Sequence, residues 1–429
     1  MNGRLGFRTD TPRRRRLVVW TVASAALAGL GVAIAWRLVW PALALSAAER
    51  ALRRHDPASA RARLDRYLDR WPGDLRALFL AAQAARRSDA CADAERLLTA
   101  FEKASGPTDA SRLEWTLLGA QQGDFAGQED RLRSWVDRNH PDAAAILEAL
   151  AKGYQASYRW REAVAAASRL LERSPDHVPA LLLRGTIWDQ LRRTDDAAQD
   201  FRRAVALAPE SAAAHAALAG FLNRHGHTRE AIYHYELARR SRPADAAALL
   251  GLARALADAA ELDEAQRRLD DLLDADPDNA DGLVERGRLA LRRGQPAEAE
   301  PFLARAVRVA PWHRDGQRLH LDVLKELKRK EAVSQGEARL AELKAEDGTS
   351  GRLKLRAHDN PGEIGVRLEL WRWSLRNGQA EEGLSWLWEI LRVDPRNAAA
   401  HAAVADYFDR AGQPRRAALH RAAVSGMIG

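Results

Sequence analysis

Cysteine is almost missing from this chain. Cys91 stands alone, which excludes an internal disulfide framework and any zinc site built from several thiolates. Strand-type runs are scarce as well, while alanine, leucine, arginine and glutamate abound, and that composition favours helices. No glycine-rich phosphate loop, HExxH helix, nucleophile elbow or zinc-ligand spacing occurs, so the chain is expected not to be an enzyme and to hold no cofactor and no metal. Nor is the folded part strongly basic. Of the formal charge of +8, residues 1–40 hold +6, from Arg4, Arg8, Arg13, Arg14, Arg15, Arg16 and Arg37 against Asp10, which leaves +2 for the other 389 residues. A nucleic-acid partner would need a basic face on the folded part, so none is expected.

What the chain has is length and two kinds of regularity. At 429 residues it exceeds one ordinary compact core, which leaves several domains or one elongated array. Near the start, Leu17 to Trp36 are uncharged and mostly apolar. As a helix they would rise roughly 30 Å, about one hydrocarbon core. Trp20, Trp36 and Trp40 lie near the ends of this stretch, as interfacial aromatics do, and six arginines precede it. The expectation is a signal anchor over 17–40 behind a basic cytoplasmic tail, 1–16. It would put the chain in the cytoplasmic membrane with one pass, the N-terminus inside and the rest outside. A cleaved signal peptide ending near Ala42–Ala44 is the alternative.

The second regularity is a period. Prolines fall at 107, 141, 175, 209, 243, 277 and 311, each 34 residues after the last, and Pro361 and Pro395 repeat the step. Small residues keep the same phase. Ala163, Ala197, Ala231, Ala265 and Ala299 stand twelve before a proline, and Ala151, Gly185, Ala219, Ala253 and Gly287 stand twenty-four before. Phe201, Tyr235, Leu269 and Leu303 stand eight before, and Gly226, Gly294 and Gly378 seventeen before. Small residues at fixed phase let two antiparallel helices approach, the large residue fills the space beside them, glycine turns the chain, and proline ends the second helix. A fixed period of this length signals stacked helical hairpins.

These residues resemble the tetratricopeptide repeat. The expected fold is all-α, a right-handed α-solenoid of about eleven hairpins after one transmembrane helix. The array would cover 41–345 and 362–429. Between them, 346–361, "EDGTSGRLKLRAHDNP", reads as an irregular insert with one short helix. After it Trp371 takes the place of a small residue opposite Gly383, a size swap. Trp373, Trp386 and Trp388 crowd the same hairpin, as a bulky local core or as an aromatic contact surface.

The resemblance implies protein or peptide binding in a concave groove lined by the first helix of each hairpin. Its inward positions fall on Lys152, Gln155, Thr186, Asp189, Gln190, Asn223, Arg224, Arg254, Asp258, Arg288, Arg292, Arg372 and Arg376. The later ones are rich in arginine, which suits carboxylates of an acidic segment, or anionic sugars. The chain therefore reads as a membrane-anchored adaptor, with envelope or secretion machinery as a setting. A non-catalytic subunit that recruits a glycan-processing enzyme is the alternative. Two side features read as bland: His225, His227 and His234 as solvated turn histidines and Cys91 as a small buried filler.

Overall fold

A computed structural model describes residues 40–125, 127–360 and 362–428. The expected tail and anchor, apart from Trp40, lie outside the described residues. Among the described residues there is no strand, and no helix is long and apolar enough to cross a membrane. They form helical hairpins throughout and divide into two compact units, Met1–Arg112 and Leu113–Gly429, with the division inside helix Asp109–Gln121.

The first unit holds a helix over 40–53, its partner Pro57–Leu68, and the hairpin Leu75–Arg87 with Cys91–Ser105. Trp40, expected near a membrane interface, packs within this unit. Its ring lies 6.1 Å from Tyr67 and 5.3 Å from Trp71, an aromatic cluster inside this unit. Cys91, expected as a small buried filler, opens its helix and is half-buried.

The second unit stacks nine hairpins, from Asp109–Gln121 with Glu129–Asp137 to Ala398–Arg410 with Pro414–Ile428. The proline period maps onto them directly: second helices end at Arg173, Leu207, Ser241, Ala275, Val309 and Val393, two residues before a proline. Two residues after the proline comes a cap. Side chains of His177, Ser211, Asp245, Asn279, His313 and Asn397 each accept the backbone N–H three residues on. Such a cap contributes about 1 kcal/mol per helix, and it starts the next hairpin in register.

The small residues do what their phase requires. Ala163, Ala197, Ala231, Ala265 and Ala299 are fully buried, as are Ala151 and Ala219. Phe201 lies over Gly185 of its own hairpin and 5.4 Å from the Phe221 ring of the next, so one side chain seals two interfaces. Trp371 lies against Gly383, where a Cβ would stand 2.6 Å from the ring, and Trp371, Trp373 and Trp388 are buried, which makes that cluster core. The hairpin turn is less dependent on glycine than its phase suggests. Tyr158, Arg192, Ala260 and Lys328 hold the same left-handed conformation, with φ of 56°, 60°, 65° and 58°.

One expectation fails. Residues 346–359 form no irregular insert; they continue helix Lys330–Asp359, 30 residues long. Gly348 and Gly351 cost helix propensity but remove no hydrogen bond, and no proline interrupts before 361. Leu343, Ser350, Leu353 and Ala357 are buried along one face, and Leu353 and Ala357 pack with Val366 and Leu370 of the next hairpin. This helix absorbs the extra residues between two prolines while the hairpin pattern continues beyond it.

Candidate functional site

In the second unit, first helices of successive hairpins touch one another: Ala143–Ala156 meets Val178–Gln190, and so on through Ala212–Arg224, Ala246–Asp258, Ala280–Arg292 and Arg314–Glu326. A stack whose like helices crowd on one side is bent toward that side, so these first helices line the inner, concave face.

The inner face carries a cavity of about 340 Å³ lined by Arg254, Asp281, Val284, Glu285, Arg288, His313, Arg314 and Asp315. Three consecutive first helices supply all of it but His313, which caps the third. Arg254 donates to Glu285 at 2.8 Å and lies 3.5 Å from Asp281. Arg288 sits 3.1 Å from Glu285 and 3.4 Å from Asp315. His313 accepts the Gly316 N–H at Nδ1 and lies 3.2 Å from Asp281 through Nε2. The hydrogen bond to Asp281 raises the His313 pKa, and the same bond is the main cause that lowers that of Asp281. Charge-assisted bonds between neighbours thus tie the hairpins together along the groove.

Two of the sequence-derived groove residues, Arg254 and Arg288, are brought together in this cavity. Arg292 joins the preceding hairpin instead, bonding the Ala257 carbonyl at 2.7 Å and lying 3.4 Å from Asp258. Arg224 and His225 both bond Asp189, at 2.7 and 2.9 Å. Lys152 and Gln155 are half-buried, with Lys152 3.9 Å from Glu148; Gln190 is exposed and Asn223 half-buried. Arg372 and Arg376 are exposed and make no ion pair among the described residues.

The residues missed from sequence are the carboxylates. Asp281 and Glu285 follow Arg254 by 27 and 31, and Asp315 follows Arg288 by 27. These offsets are one period less about one or two helical turns, so a scan for arginine followed by acid at those spacings would have found them. The later part of the face, expected to be rich in arginine, is therefore mixed in charge.

His227 is exposed, as expected, but the other two histidines are engaged. His225 is bound to Asp189, and His234 packs on the buried His215, with Nδ1 atoms 2.9 Å apart. Among the described residues no group of three His, Cys, Asp or Glu is placed to hold a metal ion.

Models of the tetratricopeptide repeat match residues 45–110, 148–212 and 222–286. No curated protein matches the chain. Among solved structures, PilW, a type IV pilus biogenesis factor, is 24% identical, with TM-score 0.44 over 46% of this chain and 92% of its own. YrrB, a repeat protein with an unusual peptide-binding site, is 18% identical, with TM-score 0.36 over 44% and 96%. A tetratricopeptide repeat protein from Parabacteroides merdae is 17% identical, with TM-score 0.37 over 66% and 98%. Among the described residues the chain is an all-helical array, and stretches in both of its compact units match models of the tetratricopeptide repeat.

Proposed function

We propose that this chain is a non-catalytic adaptor that holds an extended polypeptide segment on the inner face of its second unit. One observation carries the reading: helices Ala246–Asp258, Ala280–Arg292 and Arg314–Glu326 build a single cavity with donors and acceptors of both signs. Such a surface suits a chain that offers its own main-chain groups and a few charged side chains. Carboxylates of the partner meet Arg372 and Arg376, and the exposed edges of Arg254 and Arg292, without first displacing a buried pair.

The test is capture of short immobilised peptides by the fluorescent full chain. The double variant Arg254→Gln with Arg288→Gln is expected to lose at least about tenfold in retention, with helical circular dichroism unchanged. Glutamine is chosen because glutamate beside Glu285 and Asp315 would repel and disturb the stack itself. Equal retention by variant and parent would remove the groove from the account.

The adaptor is tethered by Leu17 to Trp36 in the cytoplasmic membrane, with the repeats outside, a placement that rests on the apolar run and the arginines before it. The full chain should resist extraction of membranes with alkaline carbonate, and a chain lacking 1–39 should be released. Full release of the parent chain would end the tethering idea.

A further inference from the structure

Two ion pairs in the cavity are copies of each other. Arg254 pairs with Asp281 at 3.5 Å, and Arg288 pairs with Asp315 at 3.4 Å. In each the acid follows the arginine by 27 residues, and the second pair follows the first by one period of 34. The reason is register. Arg254 and Arg288 stand eleven residues after Pro243 and Pro277, and Asp281 and Asp315 stand four after Pro277 and Pro311. Each pair bridges two neighbouring first helices, and one hairpin step carries the first pair onto the second. Glu285 fixes both guanidiniums from between them. It accepts Arg254 Nε at 2.8 Å and lies 3.1 Å from Arg288 Nε, and its side chain is 14% exposed. The two aspartate side chains are 55% exposed, so both pairs present their acids to solvent. Arg254 and His313 both approach Oδ1 of Asp281, and Oδ2 makes no hydrogen bond among the described residues. Nη1 of Arg254 and Nη1 of Arg288 make none there either. The pairs keep acceptors and donors for a partner.

The step between the pairs selects the shape of the occupant. Helices Ala246–Asp258, Ala280–Arg292 and Arg314–Glu326 touch in series, and touching helices lie about 8–10 Å apart. A β-strand returns a side chain to the same side every two residues, about 7 Å, and every four, about 13 Å. Neither matches one step. A polyproline II chain returns every three residues, about 9 Å, and does match. That conformation also asks little of the groove, since its main-chain groups stay solvated. A strand needs an edge to pair with, but the first helices bond their own backbone and the described residues include no strand.

We infer that the groove selects a polyproline II segment in which a cationic and an anionic side chain recur together at every third position. The cations meet Asp281 and Asp315, and the anions meet Arg254 and Arg288. This rests on the adaptor reading above and names its occupant. The array is two pairs long. The same places one hairpin earlier hold Gly220 and Ala247, and one hairpin later Asp322 replaces the arginine. Two successive triplets therefore fill it. A segment of one charge sign is attracted by half of each pair and repelled by the other half, so it gains little.

The test compares peptides of one composition in different orders, immobilised and offered to the fluorescent full chain. Four Lys-Glu-Pro triplets should retain at least about tenfold more chain than two Lys-Glu-Lys-Glu-Pro-Pro blocks, in which like charges stand two apart. Replacing each lysine of the triplets by glutamine should abolish that advantage. So should Asp281→Asn with Asp315→Asn in the chain, with helical circular dichroism unchanged. The peptide substitution leaves the chain untouched, so it decides the matter if these variants fail to fold. Equal retention of both orders by the parent chain overturns the spacing, and retention of neither overturns it as well. Should both orders be retained equally and Arg254→Gln with Arg288→Gln lose both, the groove stands and only the spacing falls.

Discussion

Replacing Gly153 by alanine is expected to cost the second unit about 2–3 kcal/mol. The obstacle is backbone, which cannot turn aside. A Cβ at 153 would stand 1.8 Å from the Ala120 carbonyl oxygen and 2.9 Å from its carbon. That oxygen is fixed by helix Asp109–Gln121 and by the Gly123 N–H, which it accepts at 3.0 Å. To admit one methyl group, two packed helices must separate and give up contacts along their whole interface. In a free helix the same change would gain up to about 1 kcal/mol, so a measured loss is net of that gain. Gly365 supplies the comparison, because nothing lies within 4 Å of the Cβ it would receive. Urea unfolding followed by circular dichroism should show Gly153→Ala melting well before Gly365→Ala. Coincident midpoints would mean that the close approach does not exist in solution.

How much of this was legible beforehand depends on whether the cause is local. A proline after Val309, an alanine at 299 and a glycine at 294 each act on their own stretch of chain, so their period exposed the hairpins. The cap two residues after six of the prolines was equally local but drifts among Asp, Asn, Ser and His, so no one letter marks it. Helix Lys330–Asp359 was misjudged because "DGTSG" reads as a turn, while its continuation is decided by Leu353 and Ala357 packing on the next hairpin. At the groove, the arginines could be placed by phase, but Asp281, Glu285 and Asp315 neutralise them from neighbouring hairpins. The contact between the two ends of the second unit lies furthest from sequence reasoning. Asp124 and Arg416, bonded at 3.0 Å, are 292 residues apart, and they meet only because small bends at each hairpin accumulate.

The half-buried Arg184 and its buried partner Asp200 should show the other large effect. Arg184 Nε and one terminal nitrogen each bond an Asp200 oxygen at 2.7 Å, a fork that matches the carboxylate, and the remaining nitrogen bonds Ser168 Oγ at 3.1 Å. The hydrogen bonds to Asp200 are the main reason the Arg184 pKa is raised. Asp200 is 4% exposed, so water cannot replace a lost guanidinium. Arg184→Ala should therefore destabilise the unit by about 3–5 kcal/mol, mostly from the carboxylate left behind. That origin can be separated from lost packing by a second variant. Removing both charges, as Arg184→Met with Asp200→Leu, should recover most of the loss, because apolar side chains fill the space without demanding solvation. A single variant costing less than about 1 kcal/mol would place the pair among solvated surface bridges. A double variant no better than the single one would assign the loss to packing of the arginine stem.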